Sequence, residues 1–240
     1  GTGDNDVYKI VKEREGYVLK YCENSEKQTA LWEIETVSNV EIFVYDETED
    51  GIEIVGLDFT KLEYEKTETE FGIYATEENP VSATKIENMK TLKIPATING
   101  KNVISVSFSS ARSIKPSDVS SVIIGIEEII YPSTIKVLES SSLGFSSVKK
   151  IELPEGLEEI REDRFSFPFA GMTELEEITI PSSVKKISSR AFYGTRSESK
   201  NNKLIVNIKG KDSEADFDEP YGGKFGLGAG LYATVNYLGK

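Results

Sequence analysis

Carboxylates are the reactive groups this chain has in quantity. It carries 41 Asp and Glu residues against 28 Lys and Arg, and no histidine. Two carboxylates can hydrolyse a glycoside when one of them is held protonated beside the other, so a carboxylate-based glycoside hydrolase is one reading. The acidic residues are spread without a pocket signature, however, and a charged surface accounts for them. The absence of histidine removes Ser-His-Asp and Cys-His catalysis, imidazole bases and the common zinc sites. Cys22 is the only cysteine, which leaves no internal disulfide and no multi-cysteine zinc site. Its type suits a small apolar strand residue.

Three loops and one aromatic group invite a ligand. "GGKFGLGAG", Gly222 to Gly230, has Gly-x-Gly spacing. A phosphate loop leads into a helix, whereas the strand-like "LYATVNY" follows here, so a capping loop fits better. "DETEDG", Asp46 to Gly51, resembles the start of a calcium loop, but Leu57 stands where the bidentate glutamate belongs. It reads as a hairpin loop. "DSEADFDE", Asp212 to Glu219, reads as a solvated acidic loop. Tyr17, Tyr21, Trp32, Phe43 and Tyr45 could stack on a sugar, yet packing of a small β domain uses the same residues. No catalytic residue, cofactor or metal is assigned.

The formal net charge of −13 repels nucleic acid and anionic lipid, so no nucleic-acid partner is expected. With 38% apolar residues the chain can bury a core, and no run reaches the roughly 18 apolar residues of a spanning helix. The opening "GTGDNDVY" reads as that of a chain trimmed after a processing site.

These residues need elements to position them, and the elements repeat. Around Pro181 stand Leu175, Ile178 and Ile180 before, and Val184, Ile187 and Phe192 after. Val148, Ile151, Leu153, Leu157, Ile160 and Phe165 hold the same offsets around Pro154, and Ile126, Ile129, Tyr131, Ile135, Leu138 and Leu143 around Pro132. Met89, Leu92, Ile94 and Ile98 give a weaker copy around Pro95. Residues two apart on a strand share a face, and proline ends the strand because it cannot donate a ladder bond. The apolar pair after the proline lines a returning wall, and the ring fills the space between the walls. One such unit cannot cover its own apolar face; a stack can.

The prolines are 37, 22 and 27 residues apart, so 22 is the uninterrupted unit. "NGK", Asn99 to Lys101, inserts a tight turn. "SFPFAG" extends the loop after Phe165, and "LIVNIKG" is a degenerate further strand with Lys209 in the proline slot. "VSSVIIG", Val119 to Gly125, also fits the strand template, which leaves the register of Val119–Ile130 open. Residues 1–66 lack the repeat; "DVYKIV", "GYVLKYC", "ALWEIETV", "VEIFVYD" and "GIEIVGL" read as strands of a small β domain or extended cap. Residues 67–88 read as an N-terminal cap hairpin, 89–209 as repeats and 210–240 as a C-terminal cap.

Charge follows the repeat too. Glu127-Glu128, Lys149-Lys150 and Glu176-Glu177 alternate in sign, as do Glu158-Glu159 and Lys185-Lys186 on the return. Stacked strands lie about 4.8 Å apart, so opposite charges in adjacent coils set the register. Between the inward positions, Lys93, Ile130, Glu152 and Thr179 face outward, and Thr91, Glu128, Lys150 and Glu177 share that face. These eight residues form the candidate binding face.

"LEEITIPSSVKKISSRAF" closely resembles the unit of the BspA-like leucine-rich-repeat family, and "LKIPATINGKNVISV" is similar to a first repeat of it. The resemblance runs from about Phe71 onward and departs at Arg112, around Leu143 and at Lys209. It implies a mainly β, right-handed, curved leucine-rich-repeat solenoid of short parallel strands with little regular helix. It also implies an exported or surface-anchored protein of host-associated bacteria that adheres to or binds a protein or glycan of host or envelope, without catalysis. An extracellular or cell-surface location is expected, and a signal sequence and a lipidated cysteine ahead of Gly1 would favour it. The alternative to adhesion is a structural spacer of an envelope assembly.

Overall fold

The computed structural model describes residues 7–13, 16–22, 40–72, 75–162, 166–195, 204–219 and 233–239, of the first two stretches the backbone alone. The chain divides into two compact units, Gly1–Val40 and Glu41–Lys240. In the first, Val7–Glu13 and Gly16–Cys22 pair as an antiparallel hairpin. "ALWEIETV" lies outside the described residues.

The second unit is a solenoid whose chain visits three walls in rotation. The first wall holds Thr91–Lys93, Glu128–Ile130 and Lys150–Glu152 in one parallel sheet, and Glu177–Ile180, Ile205–Ile208 and Thr234–Tyr237 in another. The return wall stacks Ile52–Leu57, Lys101–Val106, Val137–Leu138, Glu159–Ile160 and Lys186–Ile187 in parallel, with Phe43–Glu47 antiparallel at its edge. The third wall is Tyr64–Thr69 antiparallel to Val81–Ile86, followed in parallel by Val122–Ile124 and Gly144–Phe145.

Side chains at the repeat offsets form continuous buried rows. Leu92, Ile129, Ile151, Ile178 and Val206 make one; Ile94, Tyr131, Leu153, Ile180 and Ile208 make the next. Val106, Leu138, Ile160 and Ile187 line the return wall. Asn99 and Gly100 take positive φ values of 52° and 78° in the turn joining Thr97–Ile98 to Lys101–Val106, as the Asn-Gly pair requires.

The structure settles the register that the sequence left open. Val122–Ile124 and Glu128–Ile130 are both strands, on the third and first walls. Gly125 turns the corner between them with φ +96°, and a Cβ there would sit 2.3 Å from the Ile86 carbonyl oxygen. Ile129 therefore stays in line with Leu92 and Ile151.

Residues 41–66 fall in the second unit and extend its walls, because buried Ile52 and Ile54 supply the same inward face without a proline-centred motif. The antiparallel partner of Val81–Ile86 is Tyr64–Thr69, so this pair begins ahead of the cap hairpin expected at 67–88. Phe169, which the repeat offsets did not mark, is fully buried and stacked on Phe192 at 4.8 Å. Phe165 lies outside the described residues, and in the coil above, Phe145 joins Leu143 in the core.

Candidate interaction face

The outward side of the first wall is built by register. Thr91, Glu128 and Lys150 stand opposite one another on successive strands, as do Lys93, Ile130 and Glu152. Leu92, Ile129 and Ile151 point inward between them, so alternation along each strand fixes the outward direction. Glu177 and Thr179 occupy the same offsets on a strand of the second sheet, opposite Ile205 and Asn207. The structure thus brings six of the eight expected residues onto one sheet and places two on its neighbour.

Ion pairs knit this face together. Lys150 Nζ lies 3.0 Å from Glu128 Oε1, and Thr91 donates to the other oxygen at 3.3 Å. Lys90 pairs with Glu127 at 2.6 Å. The hydrogen bond and charge of Glu128 raise the Lys150 pKa, and those of Lys90 lower that of Glu127. In the second sheet polar groups replace the charges: Asn207 donates to Glu177, and Asn236 donates to Asn207 at 2.9 Å. Nothing in the proline-centred pattern marks this amide ladder; only the spacing of Asn207 and Asn236 along two aligned strands reveals it.

The return wall repeats the scheme. Lys185 lies 2.7 Å and Lys136 3.6 Å from Glu158, and Glu159 stands opposite Lys186, which pairs with Glu219 at 2.7 Å. Lys185 lowers the Glu158 pKa by hydrogen bond and charge, and Arg161 lowers that of Glu159 by its hydrogen bond. Burial pushes Glu162 upward, but hydrogen bonds from Arg190 and Ser188 and the Arg190 charge outweigh it, leaving the pKa lowered. A general acid needs its pKa raised, and Glu158, Glu159 and Glu162, like Glu127, move the other way.

The remaining sequence candidates have structural roles or fall outside the described residues. Asp46 forms a two-oxygen ion pair with Arg112, and Thr48 and Gly51 close the hairpin loop. Ser213 and Asp216 form a capping box around the short turn Glu214–Asp216. Phe43 is buried, and the Tyr45 hydroxyl accepts from Asn99 at 3.1 Å. The "GGKFGLGAG" loop and the side chains of Tyr17, Tyr21, Cys22 and Trp32 lie outside the described residues. Among the described residues no group of three or more Cys, Asp and Glu could hold a metal, and no helix is long and apolar enough to cross a membrane.

The chain matches known repeats. Residues 95–208 match six copies of the family described as BspA type leucine rich repeat region. The crystal structure of a T. pallidum leucine rich repeat protein, TpLRR, is similar at 19% identity over 70% of this chain and 68% of that one, with a TM-score of 0.35. No curated protein matches the chain. The proline-centred coils, their buried rows and the six-copy match lead to one conclusion: residues 95–208 are leucine-rich repeats of the BspA type.

Proposed function

We propose that the chain is a non-catalytic binding module of the cell surface or exterior, contacting a protein or glycan of host or envelope through its first wall. One observation carries the reading. Six outward side chains stand in register on a single parallel sheet, within a repeat array of the kind that presents extended surfaces to partner proteins. Leucine-rich repeats suggest protein interaction and are generally non-catalytic. A second reading, a spacer within an envelope assembly, is favoured by Lys150–Glu128 and Lys90–Glu127, which satisfy charge inside the face rather than offering it to a ligand.

The test is a binding screen of the purified protein against matrix proteins, glycans and envelope extract, with Lys150→Glu/Glu177→Lys alongside. Saturable binding that the double variant weakens at least about ten-fold supports the first reading. Equal binding by both proteins removes this face. Co-purification with an envelope protein, without saturable binding elsewhere, supports the spacer. Glycan turnover abolished by one Asp or Glu substitution would establish the hydrolase instead.

A further inference from the structure

The first-wall ladder is interrupted once. Lys150–Glu152 closes one sheet and Glu177–Ile180 opens the next, with no backbone pairing between these two strands. On the third wall the parallel ladder ends at Gly144–Phe145, and a single antiparallel bridge from Ser141 to Phe167 crosses to the following coil. Among the described residues the return wall alone carries paired strands through this level, Glu159 opposite Lys186 and Ile160 opposite Ile187.

Burial is slightly less complete at the same place. In the inward rows of the first wall Ile151 is 6% and Leu153 9% exposed, whereas Ile129 is 0%, Ile178 1% and Ile180 0%. The coil that follows is the longer one, 27 residues between prolines against 22 in the coil before it. It passes Gly171, where a Cβ would lie 2.7 Å from the Gly144 Cα. The backbones touch there without forming a ladder.

We propose that the solenoid bends between these coils, opening at the first wall and turning about the return wall. A hinge forms where few bonds must break and a continuous element remains to guide the motion. The missing ladder lowers the resistance of the first wall, and the Glu159–Lys186 and Ile160–Ile187 pairing fixes the axis. Bending leaves the register of Thr91, Glu128 and Lys150 intact and moves Glu177 and Thr179 away from Glu152. A partner reaching across both sheets would select one angle, so the hinge adjusts the face independently of which partner uses it.

The test places two nitroxide labels on neighbouring coils, in a Cys22→Ser background because Cys22 is the sole cysteine. Dipolar broadening in frozen solution is compared for three pairs. Glu152→Cys/Thr179→Cys crosses the junction on the first wall. Ile130→Cys/Glu152→Cys lies within one sheet, and Glu159→Cys/Lys186→Cys crosses the junction on the return wall. The hinge predicts that part of the first pair loses broadening while the other two stay uniformly broadened. Uniform broadening in all three overturns it, and so does equal loss in the return-wall pair. Deuterium exchange on the unlabelled chain gives an independent reading. The slowest amides of 150–153 and 177–180 should exchange at least about ten-fold faster than those of 128–131 and 205–208; equal rates contradict the hinge.

Discussion

Tyr131 occupies an inward row otherwise made of Ile94, Leu153, Ile180 and Ile208. Burial raises its pKa, and its hydroxyl has no hydrogen-bond partner among the described residues. A buried hydroxyl left unpaired costs about 1–3 kcal/mol. Tyr131→Phe should therefore raise stability by about 1 kcal/mol, read from the urea midpoint, because it keeps the ring and removes the unpaired group. Phe169 makes the opposite case. Its fully buried ring stacks on Phe192, so Phe169→Ala should cost about 3–5 kcal/mol through lost transfer energy and the cavity left behind. The same change at Phe167, which is half-buried, should cost less. The ion pairs set a pH window. Glu127, Glu158, Glu159 and Glu162 titrate below their ordinary value when folded. Their contribution is complete above the unfolded value of about 4.3 and is lost as pH falls through the lowered folded values. Lys150, Lys185 and Lys186 titrate above theirs. Their contribution is complete below about 10.4 and is lost as pH rises through the raised values. The melting temperature measured against pH should show a plateau between these limits and fall on both sides.

Single strands here are too short to stand alone, some only two residues long, as at Val137–Leu138 and Gly144–Phe145. Val137–Leu138 is held by the strands above and below, and Gly144–Phe145 by Val122–Ile124 on one side. Corners therefore matter as much as strands, and Gly125 is the most demanding. Gly125→Ala would press a methyl group against the Ile86 carbonyl at a positive φ, and a marked fall in melting temperature is expected. Register depends on the charges. Lys150→Glu places like charges beside Glu128 and should lower the melting temperature; adding Glu128→Lys should restore it, since the pair is then reversed rather than lost. This ladder was legible in the sequence because alternating signs recur at fixed offsets from the prolines. So was the inward row through Leu92, Ile129, Ile151 and Ile178. The third wall was legible only in part: "VSSVIIG" fits the strand template but ends in glycine, which left its register open, and Gly144–Phe145 is too short to show a period. The expected continuation from Lys150 to Glu177 also failed to appear as strand pairing, and proline spacing could not foretell this, since the longer coil from Pro95 to Pro132 keeps its ladder. Of the eight candidate face residues, alternation alone sufficed to place Thr91, Lys93, Glu128, Ile130, Lys150 and Glu152 together. The division that separates Glu177 and Thr179 from them required the backbone geometry.

Glu41–Lys240 gains its stability along one axis, each coil completing the core of the next. Stacking explains how proline-free residues such as Ile52–Leu57 extend the return wall without the repeat motif, and how Phe108, Phe145, Phe169 and Phe192 all reach full burial. It also explains why an excess of 13 negative charges is tolerated: local ladders alternate in sign while the net charge stays at the surface. The most direct measurement of this stacking is a set of methyl-to-methyl nuclear Overhauser contacts along the inward rows. Cross-peaks should link Leu92 to Ile129, Ile129 to Ile151, Leu138 to Ile160 and Ile160 to Ile187. Those four links missing, with the same methyl groups broadened by a paramagnetic agent in the solvent, would contradict the stacked core.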